Sequence, residues 1–235
     1  MSTAILFAHG IVGTPKHFEK YIKLVPEDWT VVNLVLKGHL GTVKDFGNAS
    51  MKEWKAQFHD ELKKLTDTHD RVFIVAHSMS CLFSIEESLE QKVEAMFLLN
   101  IPVWARVTPR LLKSVSQIYF NRVNESDPWV IAARELYGIG MDRNLLHYIK
   151  WPSRYFELFS EISYARKFIS EVKIPSYIYI STKDEMTSPR GAKYIREHGH
   201  ENMKVTELEG SGHLYFTDEA WETVLGDFRK FIIER

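Results

Sequence analysis

The sequence predicts an α/β protein: a mainly parallel sheet of about six strands flanked by helices, with a helical insertion near the middle of the chain. Three observations carry that expectation. Six short apolar runs rich in β-branched and aromatic residues recur along the chain, at Ala4–Ala8, Thr30–Leu34, Val72–Val75, Ala95–Leu99, Tyr177–Ile180 and Lys204–Leu208. Near-continuous apolarity of this kind suits strands covered on both faces. Segments with helical signals separate most of the runs, which implies right-handed crossovers between parallel neighbours. The alternation then fails between Ile101 and Lys173, the widest gap between the expected strands.

Each element has its own local signal. After the first run, Gly10 and Gly13 mark a turn, and after the second comes the loop Leu36-Lys37-Gly38-His39-Leu40-Gly41-Thr42. Ser50-Met51-Lys52-Glu53 reads as a capping box that opens a helix to about Thr66, with Trp54, Phe58, Leu62 and Leu65 on one stripe. That stripe is a core face. The third strand, Arg71–Ala76, runs into Leu82, Ile85 and Leu89 at helical spacing. Ser188-Pro189 starts a further helix, with proline where a missing N–H costs little. Thr217-Asp218-Glu219 begins the last one, its acids near the positive end of the helix dipole.

The gap divides the chain into a core, residues 1–101 and 173–235, and an insertion, residues 102–172. The insertion holds twelve of the thirty aromatic residues and is punctuated by Pro102, Pro109, Pro128 and Pro152, so several short helices are expected there. Placed after a strand of such a sheet, it is expected to cover a pocket beyond the strand C-termini, or else to form an accessory helical layer with its own small core.

Composition narrows the classes of function. Thirty Lys and Arg against thirty-one Asp and Glu give a formal charge of −1, which offers no broad attraction to nucleic acid or an anionic membrane. The lone Cys81 cannot form an internal disulfide. No basic leader is evident at the N-terminus, and no apolar run approaches the roughly 20 residues of a membrane span. A cytoplasmic protein with no integral membrane segment and no nucleic-acid partner is the expectation.

Chemistry is concentrated at four places. Ser78, in Ala76-His77-Ser78-Met79-Ser80, stands where a strand turns into a helix, the setting in which a small-x-Ser-x-small pattern exposes a nucleophile. The same serine also fits a helix N-cap. A serine hydroxyl needs a base, and His213 in the Gly-rich loop Gly210-Ser211-Gly212-His213 follows a strand and precedes the last helix. His77 is adjacent in sequence, but its side chain is expected to point away from that of Ser78. Asp184, just beyond the fifth run, suits the acid that orients the imidazole; Glu185 competes with it, while Asp127 and Asp218 are weaker candidates. The N–H groups of Ile11 and Met79 are the pair expected to hold an oxyanion. His198-Gly199-His200 lacks supporting ligands at metal-site spacing and reads as a polar helix end.

With these residues in place, the chain resembles the α/β-hydrolase superfamily, and most closely its small bacterial carboxylesterase and monoacylglycerol-lipase-like members. The segments that carry the resemblance are His9-Gly10-Ile11-Val12-Gly13-Thr14-Pro15, the loop Leu36–Thr42, Ala76–Ser80 and Gly210–His213, so it spans nearly the whole chain. Ala76 and Ser80 replace the usual elbow glycines, and Leu40 and Ser181 stand where glycine is frequent. The resemblance implies an α/β-hydrolase fold that begins near the third strand of an eight-stranded member, leaving six parallel strands. It further implies that residues 102–172 form a cap, and that a small-molecule carboxylic ester with an acyl chain is the substrate. Acyl transfer through Ser78, Asp184 and His213 requires no metal or organic cofactor. Thioester, amide or carbon–carbon bond hydrolysis on the same scaffold is the alternative, as is ligand binding without turnover; oligomeric state is left open.

Overall fold

A computed structural model describes residues 1–233. The strands β1 (Thr3–Ala8), β2 (Thr30–Leu34), β3 (Arg71–His77), β4 (Ala95–Leu99), β5 (Ser176–Ser181) and β6 (Met203–Leu208) form one sheet in the order β2-β1-β3-β4-β5-β6. Every neighbouring pair is parallel. The register aligns Ala8 with Ala76, His77 with Leu99, and Ser181 with Leu208. The segments that follow β1, β3, β5 and β6 therefore leave the sheet at one edge, where open parallel sheets bind their ligands.

Helices cover both faces: α1 (Glu19–Ile22), α2 (Val43–Asn48), α3 (Met51–Thr68), α4 (Met79–Glu90), α5 (Pro109–Tyr119), α6 (Pro128–Leu136), α7 (Trp151–Ala165), α8 (Arg190–His198) and α9 (Asp218–Ile233). Alternating strand residues go to opposite sides. Leu6, Ile74, Ala76 and Leu98 pack with Trp54, Phe58 and Leu62 of α3, whereas Phe7, Phe73, Val75 and Phe97 pack with Phe228 and Phe231 of α9. Burial on both sides is why these runs carry no polar alternation. No helix among the described residues is long and apolar enough to cross a membrane.

Local starts follow the sequence with two refinements. Ser50 caps α3 by accepting the Glu53 N–H at 3.3 Å, but the Glu53 carboxylate accepts from Ser50 Oγ and Lys37 Nζ rather than from the Ser50 N–H. The reciprocal box forms instead at α2, where Thr42 Oγ1 accepts the Asp45 N–H and Asp45 Oδ2 accepts the Thr42 N–H. Thr217 Oγ1 caps α9 through the Ala220 N–H at 3.2 Å.

Between β4 and β5 lie α5, α6, α7 and 3-10 turns at Leu145–Tyr148 and Arg166–Glu171. Pro109, Pro128 and Pro152 each fall in a first helical turn, so they start helices rather than break them. Asp127 caps α6 by accepting the Trp129 N–H at 3.2 Å, which accounts for that acid. The whole segment is tied to the sheet edge. Gly138 donates its N–H to the Val12 carbonyl and accepts the Leu40 N–H, both at 2.7 Å, and the Trp151 indole donates to the Val43 carbonyl at 2.9 Å.

Candidate active site

Ser78 sits between β3 and α4 with φ +55° and ψ −121°, a conformation that costs a non-glycine residue of order 1–3 kcal/mol. Its neighbours over-determine it. The Ser78 N–H donates to the Leu99 carbonyl at 2.8 Å and its carbonyl accepts the Cys81 N–H at 3.0 Å. Ser80 Oγ donates to the His9 carbonyl at 2.5 Å, so the residue that replaces an elbow glycine ties the loop after β1 to the turn. Gly10 of that loop passes so close that a Cβ there would lie 2.7 Å from the Ser78 Cβ. Only glycine permits this approach.

The loop after β6 brings His213 over the sheet edge. His213 Nε2 lies 2.9 Å from Ser78 Oγ, and Nδ1 lies 2.7 Å from Asp184 Oδ2. An ionised carboxylate can only accept, so Nδ1 carries the proton and Nε2 is left as the acceptor for the serine hydroxyl. Asp184 is fully buried and held in turn: its Oδ1 accepts the N–H groups of Met186 and Thr187 at 2.7 and 2.6 Å, and its carbonyl accepts the Arg106 Nε–H at 2.9 Å. Burial alone would lower the basicity of His213; the charge and hydrogen bond of Asp184, with the charge of Glu185, outweigh it and raise the imidazole pKa above the ordinary histidine value.

Glu185 does not reach the imidazole ring. Its Oε2 accepts the His213 backbone N–H at 3.0 Å, so of the two adjacent acids it is Asp184 that orients the ring. The Ile11 and Met79 N–H groups, buried at the same edge, have no acceptor among the described residues. Two preorganised donors beside a hydroxyl and its base form an arrangement suited to stabilising a developing oxyanion.

Two further side chains in the site were not singled out for it by the sequence. His77 Nε2 donates to the His213 carbonyl at 3.0 Å, with its ring stacked on His17 at 3.9 Å, so it is indeed turned away from Ser78. Asn100 donates to the carbonyls of Gly212 and His213 at 3.2 and 3.1 Å and accepts the Ser181 N–H at 2.8 Å. An asparagine directly after a buried strand, at φ +52°, was the available signal, since asparagine tolerates that region better than most residues. Burial holds His9 near pKa 4 and His17 and His39 near 3, so these rings are neutral packing groups at ordinary pH.

The site is covered. Ser78 is only 5% exposed and His213 2%. The Trp129 ring of α6 lies against Gly212, where an added Cβ would come within 2.0 Å of it. At His198-Gly199-His200, His198 Nδ1 donates to the Tyr194 carbonyl and its ring stacks on Tyr194, consistent with a helix end. His59, Glu87 and Glu90 bring one metal-type atom each within 4.8 Å of one another on α3 and α4, yet the Glu87 carboxylate is engaged by His59 and Gln91.

Comparison with known proteins agrees with this architecture. No curated protein matches the chain by sequence. Among solved structures, one from work on LipS and LipT, two metagenome-derived lipolytic enzymes, superposes with a TM-score of 0.74 at 17% identity, over 100% of this chain and 95% of that one. A monoacylglycerol lipase from Paleococcus ferrophilus gives 0.69 at 16% identity, over 98% and 94%. A soluble variant of monoglyceride lipase from Saccharomyces cerevisiae, in complex with a substrate analog, gives 0.69 at 13% identity, over 100% and 87%. At such identities the likeness is one of fold. The sequence pattern of the alpha/beta hydrolase family matches residues 5–226, from β1 into α9, and the chain belongs to that family.

Proposed function

We propose that the protein is a serine hydrolase that cleaves small or medium acyl carboxylic esters, of the kind found in monoacylglycerols, through an acyl-enzyme on Ser78. The observation that carries this reading is the continuous chain from Asp184 Oδ2 through His213 to Ser78 Oγ, at 2.7 and 2.9 Å, beside the unpartnered N–H groups of Ile11 and Met79. His213 Nε2 takes the hydroxyl proton as Ser78 attacks the ester carbonyl. Asp184 stabilises the resulting imidazolium, and the Ile11 and Met79 N–H groups hold the oxyanion. The imidazolium returns its proton to the departing alcohol. Water then attacks the acyl-enzyme as His213 takes its proton; the imidazolium returns that proton to Ser78 Oγ as the acyl–oxygen bond breaks and the carboxylic acid is released.

Residues 102–172 act as the cap. With Trp129 against the His213 loop and Gly138 bridging Val12 and Leu40, the cap must shift for an ester to reach Ser78. The test is a chain-length series of p-nitrophenyl esters, with thioesters and amides in parallel, on wild type and Ser78→Ala. The reading expects ester hydrolysis that peaks at short or medium chains and is lost in the variant. Preference for a thioester or amide would move the substrate class; equal inactivity of both proteins would overturn turnover altogether.

A further inference from the structure

The carboxylate of Glu185 lies within the same buried group as the triad but has no part in the steps above. Its residue is 7% exposed, and its Oε2 accepts the His213 N–H at 3.0 Å. From the opposite side, His77 Nε2 and Asn100 Nδ2 hold the His213 carbonyl at 3.0 and 3.1 Å. The peptide units on both sides of His213 are thereby fixed by side chains from β3, from the end of β4 and from the loop after β5. Among the described residues no lysine, arginine or histidine forms an ion pair with Glu185. A buried carboxylate without an ion-pair partner is unfavourable unless another charge nearby compensates it. The ring of His213, once protonated, is one such charge, alongside the cations that line the same cavity.

We propose that Glu185 is a positioning residue for the base: a second buried carboxylate that fixes the His213 backbone and, by its negative charge, favours the imidazolium. This rests on reading Ser78, Asp184 and His213 as a hydrolytic triad. Asp184 supplies the geometry, being hydrogen-bonded to the ring; Glu185 supplies charge without touching it. The titration shifts have the matching signs. Burial and the Asp184 charge raise Glu185 while the His213 charge lowers it, and Glu185 in turn raises His213. The other groups around this pair are named readily. Tyr137 faces Glu185 from the cap and is held neutral by burial. Arg106, Arg110 and Lys183 line the cavity that Glu185 shares. His77 and His17 lie beside His213 and are kept neutral by burial.

The sign is fixed by this arrangement. Removing the Glu185 charge disfavours the imidazolium, so the pKa of His213 falls and the acidic limb of kcat/KM moves to lower pH. Glu185→Gln retains an oxygen for the His213 N–H and removes only the charge. The expected shift is roughly one to two pH units, the scale of one charge about 6–12 Å from the ring at an effective dielectric of about 20. Glu185→Asp draws the charge back by one methylene and shifts the limb in the same direction by less. A residue that merely braces the loop would leave the limb of the glutamine variant in place.

The experiment measures pH profiles of ester hydrolysis for wild type, Glu185→Asp and Glu185→Gln. Alongside, imidazole ¹⁵N titrations of His213 are recorded in the Ser78→Ala background with and without the Glu185 changes, the signal being identified by its loss in His213→Ala. A graded downward shift in both readouts supports the inference. If hydrolysis depends on Ser78 but neither the limb nor the ¹⁵N titration moves, this inference fails alone. If no ester is hydrolysed, the functional reading fails, and the ¹⁵N titration still decides whether the Glu185 charge acts on His213.

Discussion

Replacing Asp184 by asparagine tests the site more sharply than truncation, because the structure fixes which way the new amide must face. Oδ1 of Asp184 accepts two backbone N–H groups, from Met186 at 2.7 Å and Thr187 at 2.6 Å. In Asp184→Asn the amide oxygen stays at those two donors, since an NH2 group there would oppose them. The NH2 is then directed at His213 Nδ1, now 2.7 Å from Oδ2. Nδ1 must become an acceptor, the ring proton moves to Nε2, and the ring then presents a donor to the Ser78 hydroxyl in place of an acceptor. A base in the wrong tautomer costs about 10⁴ in kcat, equivalent to about 5.4 kcal/mol of transition-state stabilisation. The two loop hydrogen bonds survive, so the thermal midpoint should change little. The assay is initial rates on a short p-nitrophenyl ester beside a thermal melt. A loss below tenfold in a folded variant would refute the tautomer argument, and a larger loss in Glu185→Ala would transfer the acid's role to Glu185.

Other perturbations follow from the same contacts. Gly212→Ala places a methyl 2.0 Å from the Trp129 ring, so the indole must move off the His213 loop; a loss of about 1–3 kcal/mol in urea unfolding is expected, and unchanged stability would show that the ring is not seated there. Gly10→Ala sets a methyl 2.7 Å from Ser78 Cβ, and displacing that loop should lower kcat at least about tenfold, whereas wild-type turnover would contradict the close approach. Stability should fall from pH 7.5 to pH 5. Below the ordinary histidine value of 6.5 the unfolded chain takes up protons that the fold refuses at His9 until about pH 4 and at His17 and His39 until about pH 3. His213, whose pKa is raised, works in the opposite sense: its contribution is present in acid and is lost as pH rises through its folded value. With four depressed imidazoles against it, His77 among them, the urea midpoint is expected to be lower at pH 5, and an equal or higher midpoint would contradict the burial of those rings.

The parts of the fold that sequence revealed were those encoded by periodicity over a few residues. Strands buried on both faces leave unbroken apolar runs, and all six expected strands lie within a residue or two of β1 to β6. The stripe Trp54, Phe58, Leu62 and Leu65 became the buried face of α3. Ser78, Asp184 and His213 were nameable because each follows a strand, and the parallel register brings those ends to one edge. What local patterns missed depends on contacts across long stretches of chain. Asn100 meets the His213 carbonyl 113 residues away and His77 does so across 136, distances at which no spacing rule operates. The choice between Asp184 and Glu185 turned on side-chain direction, which adjacent acids in a loop do not reveal. Ser80 stands in place of an elbow glycine and in the fold donates to the His9 carbonyl, so a departure from the family pattern carries a tether. Leu40, where glycine is frequent, holds φ +59°, and its N–H bond to the Gly138 carbonyl helps to hold that conformation.

Whether Ser78 is the nucleophile of an acyl transfer is decided by intact-mass and peptide-level mass spectrometry after exposure to a fluorophosphonate ester. Ser78 attacks the phosphorus, fluoride leaves, and the tetrahedral adduct remains on Oγ. One adduct per chain is expected, located on Ser78, absent in Ser78→Ala and formed far more slowly in His213→Ala. An adduct on another residue, or equal labelling of wild type and Ser78→Ala, would contradict that role.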